Sequence, residues 1–186
     1  MSKKPFIINI SGKARHGKDT FAKYLMNCLY EKHGKHIQII KFGDEVKEKA
    51  EEVGWNGKKD ENGRTLLQFI GDFFRKYIDK DYWVKKAYKK INNDNDYIII
   101  PDTRYLNEIM FFKDRNYLSL TLCIQRYNKD GSLYNELTDE QQKHASETAL
   151  DDYGFDYYIK AYSGDVDTLE KDAEKIDKLL EGGING

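Results

Sequence analysis

The chain of 186 residues has almost no cysteine: Cys28 and Cys123 are the only two, each in an apolar stretch. Two isolated thiols exclude a disulfide framework and read as buried groups in a reducing compartment. No apolar run approaches the ~20 residues that a membrane span needs. The start, Met1-Ser2-Lys3-Lys4-Pro5, leads into a short apolar segment without the small-residue cleavage site of a signal peptide. An excess of one charge is missing too. The 31 Lys and Arg against 32 Asp and Glu leave a net charge of −1, which argues against a disordered tail and against wrapping nucleic acid by bulk charge. No internal repeat and no domain-scale linker is present. What remains is the expectation of a cytoplasmic globular chain with no nucleic-acid or membrane partner, long enough to bury its own core as one domain over residues 1–186.

Hydrophobic patterning then predicts an α/β arrangement. Phe6 to Ile10 reads as a buried strand, Gly12 to Gly17 as a loop, and Phe21, Tyr24, Leu25, Cys28 and Leu29 as one face of a helix that Gly34 stops. Ile37 to Phe42 reads as a second strand, so the segment is a βαβ unit and implies a parallel sheet. Residues 44–94 carry no convincing strand. Val46, Ala50 and Val53, then Leu66 to Tyr77, then Val84, Ala87 and Ile91 predict three helices, with a loop from Trp55 to Gly63. Tyr97 to Ile100, Leu118 to Ile124 and Tyr157 to Ala161 are the remaining strands. A helix with Leu106, Ile109 and Met110 follows the first of these. After the next, Arg126 opens a polar, mobile excursion from Tyr127 to Lys143, and Ser146 caps a short helix. A last helix carries the stripe Val166, Leu169, Ala173, Ile176 and Leu180 and ends at Gly182-Gly183.

The strongest chemical signal is Gly12-Lys13-Ala14-Arg15-His16-Gly17-Lys18-Asp19-Thr20, between a strand and a helix. Glycines there let backbone N–H groups turn toward phosphate oxygens, the helix start adds its positive dipole end, and Lys18 adds a point charge. A strict phosphate loop has Ser or Thr directly after its lysine. Here Asp19 intervenes before Thr20, an arrangement that suits a small-molecule kinase better than a GTPase or a motor. Asp19 itself reads two ways, as an acid stabilising the helix start or as a Mg²⁺ contact, direct or through water. His16 has no required role in such a loop.

A second signal is Asp102-Thr103-Arg104 with Asn107-Glu108, at the carboxyl end of the third strand. In a parallel sheet that position lies near the phosphate loop, where Asp102 can orient Mg²⁺ or hold the acceptor and Arg104 can neutralise phosphate charge. A third signal is Arg64, Gln68 and Arg75 on roughly one helical face, followed by Asp81-Tyr82-Trp83. Arginine suits a phosphate fork, glutamine a base edge, and aromatics a stacked base. Arg126, Lys129 and Lys143 are the cations a closing segment would bring to a transferred group. His33 and His36 lack the further ligands of a zinc site.

Taken in order, these motifs resemble the bacteriophage-type deoxynucleoside monophosphate kinases, relatives of adenylate kinase in the P-loop class. The resemblance rests on Gly12-x4-Gly17-Lys18-Asp19-Thr20, Phe42-Gly43-Asp44 with Lys47, Trp55, Gly57-Lys58, Gly63-Arg64, Leu66-Leu67-Gln68 and Gly71. Asp81-x-Trp83, Asp102-x-Arg104-x-x-Asn107-Glu108, His144-x-Ser146-Glu147 and Asp156 continue it along nearly the whole chain. Family members often have proline and alanine near the second strand's end, where this chain has Gly43 and Glu45, and the excursion here is short on arginine. The resemblance implies a P-loop NTPase fold: a five-stranded parallel sheet flanked by helices. Its core comprises 1–43, 95–126 and 145–186, with a helical monophosphate-binding insert at 44–94 and a lid at 127–144. It implies ATP with Mg²⁺ as donor and a deoxynucleoside monophosphate as acceptor, and leaves a homodimer open. By residue, it implies Lys18, Arg104 and Arg126 as catalytic groups and Gly12 to Thr20 as the ATP loop. Phe42, Gly43, Lys47, Arg64, Gln68, Arg75, Trp83, Asp102 and Arg104 would contact substrate, and Asp19, Thr20 and Asp102 the metal. Rival expectations are a P-loop kinase acting on phosphomevalonate, dephospho-CoA or adenylate, an ATP-binding module without transfer, and a nucleic-acid end kinase.

Overall fold

A computed structural model describes residues 3–183 of the chain. Met1 and Ser2, part of the start read above as leaderless, lie outside the described residues, as do the final residues 184–186 of the single-domain span. Five parallel strands form one sheet in the order β2-β3-β1-β4-β5: β1 is Phe6–Ser11, β2 Ile37–Ile39, β3 Tyr97–Ile100, β4 Ser119–Tyr127 and β5 Tyr157–Tyr162. β1 and β3 are near-continuous apolar runs because helices cover both faces of the sheet. On one face α1 (Lys18–His33) and α8 (Asp167–Gly183) bury Phe21, Leu25, Leu29, Leu169 and Ile176 against Ile8, Ile10 and Leu122. On the other, α2 (Phe42–Glu52), α3 (Glu61–Tyr77), α4 (Tyr82–Tyr88) and α5 (Leu106–Lys113) bury Val46, Ile70, Trp83 and Phe112 against Ile7, Ile98 and Ile100. Two short helices, α6 (Asp139–Lys143) and α7 (Ala145–Thr148), complete the chain order before β5. Among the described residues no helix is long and apolar enough to cross a membrane.

The chain leaves β1 toward α1 and β2 on one side and reaches β4 on the other, so the carboxyl ends of β1 and β3 flank a topological switch point. Parallel α/β sheets bind ligands in the crevice there. The glycine loop follows β1, and Asp102 follows β3, on that edge.

Several local expectations need correction. The second strand stops at Ile39, because the Phe42 and Gly43 amides are taken by the Asp102 carboxylate at 3.0 and 2.7 Å, which starts α2. The loop from Trp55 ends at Asp60, whose side chain accepts the Gly63 N–H at 2.8 Å, so Gly63 lies inside α3. β4 continues to Tyr127, so Arg126 sits within a strand, paired with Ala161, and does not open the excursion. α5 buries Glu108, Ile109, Phe111 and Phe112 and leaves Leu106 and Met110 exposed. His144, not Ser146, caps α7 by accepting the Ser146 N–H. Val166 precedes α8 and is exposed, and the helix runs through Gly182 to Gly183.

Candidate active site

The loop after β1 is shaped by three residues with positive φ, Gly12 (137°), Arg15 (57°) and Gly17 (93°). Such reversals turn successive amides inward and make an anion-binding concavity at the start of α1. Gly12 is required for a second reason: a Cβ there would lie 2.3 Å from the carbonyl oxygen of Ile124 in β4. Lys18 is buried and donates from Nζ to the carbonyls of Gly12 (2.7 Å) and Lys13 (2.6 Å), so its ammonium is held across the loop by backbone alone. Burial, then the nearby Arg104 guanidinium, pushes its pKa down to about 7. His16 is buried as well. Its Nε2 lies 2.9 Å from the Tyr134 carbonyl, and its Nδ1 faces the Arg126 N–H at 3.3 Å. Nδ1 also lies 3.2 Å from the Ile124 carbonyl; burial lowers the ring's pKa, against the two carbonyls, which favour its protonated form. His16 therefore ties the loop to β4 and to the excursion.

Opposite the loop lies an open cleft. Its walls include Phe42, Gly43, Lys47, Gln68, Arg75, Asp102 and Arg104, together with Asp19. Most of its cations are held by acids. Lys41 pairs with Asp19 at 2.5 Å, Lys47 with Asp44, Arg75 with Glu108 at 3.3 Å, and Arg104 with Glu147 at 2.9 Å. Glu108 also accepts the amides of Arg104 and Tyr105, at 2.7 and 3.1 Å; burial nevertheless pushes its pKa up to about 7. Burial likewise raises the Asp102 carboxyl, against the two amides and Arg104 that favour its charge. Partial burial works the same way on Asp19, but Lys41 and Lys18 outweigh it and hold that carboxyl low. The Arg75 guanidinium stacks 4.1 Å from the centre of the Tyr105 ring, and Gly71 leaves it room, since a Cβ there would meet Nη1 at 2.9 Å.

The expected site residues thus divide. Asp19, Phe42, Gly43, Lys47, Gln68, Arg75, Asp102 and Arg104 surround one cleft. Lys13, Ala14, Gly17 and Lys18 belong to the adjoining loop. Arg64 lies beyond, in a groove with Ala14, Gln68 and Arg104, and pairs with Glu136 at 3.3 Å; Arg15 pairs with the same carboxylate. Thr20 is exposed on α1. Arg126 faces away from the cleft, donating to Ser163 and to the Arg15 carbonyl with its guanidinium over the Tyr134 ring. Trp83 cannot stack on a ligand: it is 2% exposed, packs against Phe74 and Tyr82, and spends its indole N–H on the Gly71 carbonyl at 2.9 Å. It is a core residue supporting the helix that carries the cleft wall.

Sequence reasoning passed over Lys41, Lys59, Asp72 and Tyr105, and His144 stood in the resemblance without a role. His144 bridges to Asp72 through Nε2 at 2.9 Å, and Tyr105 donates to the other oxygen of the same carboxylate at 3.3 Å. Lys59 reaches the cleft without a contact ion pair among the described residues; burial and the neighbouring Lys47 lower its pKa, against the charge of Asp19. Only the polar spacing of 55–63 hinted at it. Among the described residues no group of three or more His, Cys, Asp or Glu side chains is placed to hold a metal ion. Asp19 and Asp102 are hard oxygen donors on one cleft, a set that fits a Mg²⁺ keeping most of its waters and sharing substrate phosphates.

No protein-family model matches the chain, and no curated protein matches its sequence. Solved structures align with its fold. A shikimate kinase from Acinetobacter baumannii in complex with shikimate aligns over 98% of this chain and 96% of its own, with 14% identity and a TM-score of 0.50. An APS kinase from Mycobacterium tuberculosis aligns over 96% of this chain and 98% of its own, with 11% identity and a TM-score of 0.49. What the chain shares with the shikimate kinase is the fold, a five-stranded parallel sheet flanked by helices.

Proposed function

We propose that the chain is an ATP-dependent phosphotransferase whose acceptor is a deoxynucleoside monophosphate, giving the diphosphate. The observation that carries this reading is the juxtaposition of a lysine-bearing anion loop with a cleft lined by Arg75, Arg104, Lys47 and Gln68, at the switch point of a parallel sheet. In this reading the loop amides and Lys18 hold the donor phosphates. Arg75 and Lys47, with Lys59, hold the acceptor's phosphate, and Gln68 meets its base. Arg104, which lines both the cleft and the loop's flank, sits over the transferred group. Residues 44–94 form the acceptor-binding insert. Residues 127–144 form a lid, which Glu136 would fasten by its pairs with Arg15 and Arg64. Arg126 acts on the loop from behind, through the Arg15 carbonyl, and not on phosphate.

Mg²⁺ bound near Asp19 and Asp102 would supply charge neutralisation between phosphates. The chain's own contribution is positioning and a preorganised positive field. The acceptor's phosphate is mostly dianionic near pH 7, its second pKa being about 6, so no dedicated base is needed. A second reading shares the first half: the same donor loop serving another small anionic acceptor. It is favoured by the cleft's cations, which recognise an anion more decisively than Gln68 alone recognises a base, and by the shikimate kinase fold. A panel of acceptors with ATP-Mg separates the two. Diphosphate from one or more deoxynucleoside monophosphates is expected; turnover only of shikimate, phosphomevalonate or dephospho-CoA would replace the first reading by the second.

A further inference from the structure

One anion already sits in the glycine loop, and it belongs to the protein. Glu147, in α7, is buried; its Oε2 accepts the N–H of Ala14 at 3.1 Å and its Oε1 pairs with the Arg104 guanidinium at 2.9 Å. The same turn of chain is fastened from the other side, since Lys13 donates to the Glu147 carbonyl and to the Asp151 carboxylate, and Arg104 donates to the Ser146 carbonyl at 3.3 Å. A loop amide and a guanidinium converging on one carboxylate are the partners a phosphoryl oxygen would use. Two anions cannot share them in a half-buried place, because like charges at contact distance disfavour each other's charged forms.

We propose that the Ala14 amide and Arg104 form a single anion subsite, occupied by Glu147 before the donor binds and by a nucleotide phosphate afterwards. Glu147 is thereby a positioning residue: it parks Arg104 beside the loop, and its eviction releases that guanidinium toward the transferred group. This rests on the donor-loop reading of the proposed function. Nucleotide binding then disfavours the docked position of α7, and the apparent nucleotide affinity is reduced by the fraction of molecules in which Glu147 is docked.

The test is calorimetric binding of ADP without Mg²⁺, so that a carboxylate acting through a metal contributes nothing. Glu147→Gln should bind ADP on the order of tenfold tighter than the unaltered chain. Asp151→Asn removes the same charge from the same neighbourhood without touching the Ala14 amide, and should change affinity much less. Hydrogen exchange on the unaltered chain gives a readout that needs no variant: amides of 144–149 should exchange faster with ADP bound. Equal gains in both variants, no gain in Glu147→Gln, or slower or unchanged exchange at 144–149 would overturn the proposal while leaving ADP binding itself intact. Absence of ADP binding to every form would overturn the donor-loop reading and this proposal with it.

Discussion

On the loop side of the cleft, Gly12, Gly17 and Lys18 lie within a few residues of one another, and the ammonium is held by the carbonyls of Gly12 and Lys13. On the opposite side, Lys41 at the N-cap of α2 and Lys47 within it, Arg75 from α3 and Arg104 after β3 come from three segments, and each is held by a carboxylate. The two walls present positive charge by different means. Backbone carbonyls attract Lys18 without neutralising it, so a phosphate reaching that ammonium displaces no carboxylate from it; the carboxylate to be displaced on this wall is Glu147, from the Ala14 amide. Carboxylates neutralise the other wall, so an anion arriving there must compete with or replace an existing partner. The loop wall is thus fixed by covalent geometry and the facing wall by exchangeable ion pairs.

The sharpest way to break the loop wall is Gly12→Ala. Its φ of 137° is strained for any side chain, and its Cβ would meet the Ile124 oxygen at 2.3 Å. We expect a loss of roughly 3 kcal/mol in urea unfolding, together with loss of ADP binding. Trp83→Phe should lower stability by about 1–3 kcal/mol, through the shrunken side chain and the lost indole bond to the Gly71 carbonyl. Acceptor preference should stay unchanged, because the indole does not reach the cleft. Arg75→Gln tests the facing wall alone: acceptor KM should rise about tenfold, the loss of one charge-assisted pair, with ADP affinity unaltered.

The smallest effect is a proton count. The buried Lys18 has a pKa near 7, far below its ordinary 10.5, and a phosphate beside it would push that value back up. A group whose pKa rises on binding takes up protons between the two values. ADP binding should therefore take up close to one proton at pH 8 and almost none at pH 6, and affinity should fall as pH rises above 7. Calorimetry in buffers of different ionisation enthalpy measures this directly, and a Lys18→Met chain should lack it.

The difference between the walls also explains what the sequence disclosed. The loop was legible because its requirements are local: glycines at two reversals, a lysine at a helix start, an apolar strand before it. β3, a fully buried run, was legible to the residue for the same reason. The facing wall was legible as residue types but not as partners. That Phe42 begins a helix depends on a carboxylate 60 positions later, and that Trp83 is core depends on the Gly71 carbonyl. Arg126 was misplaced because the polar end of β4 pairs with β5, which hydrophobicity does not report. Glu147 stood in the resemblance without a role; its burial against Ala14, 133 positions away, is a tertiary fact.

The proposed function requires that a terminal phosphoryl group pass from a donor held at Lys18 to a monophosphate in the facing cleft. ATP labelled in its terminal phosphate, supplied with Mg²⁺ and each deoxynucleoside monophosphate in turn, tests it directly. Label is expected on at least one deoxynucleoside diphosphate with the unaltered chain, and a loss of at least about a hundredfold in rate for Lys18→Ala with an unchanged far-ultraviolet spectrum. Label confined to ATP and inorganic phosphate, or transfer that survives Lys18→Ala at a near-normal rate, would contradict it.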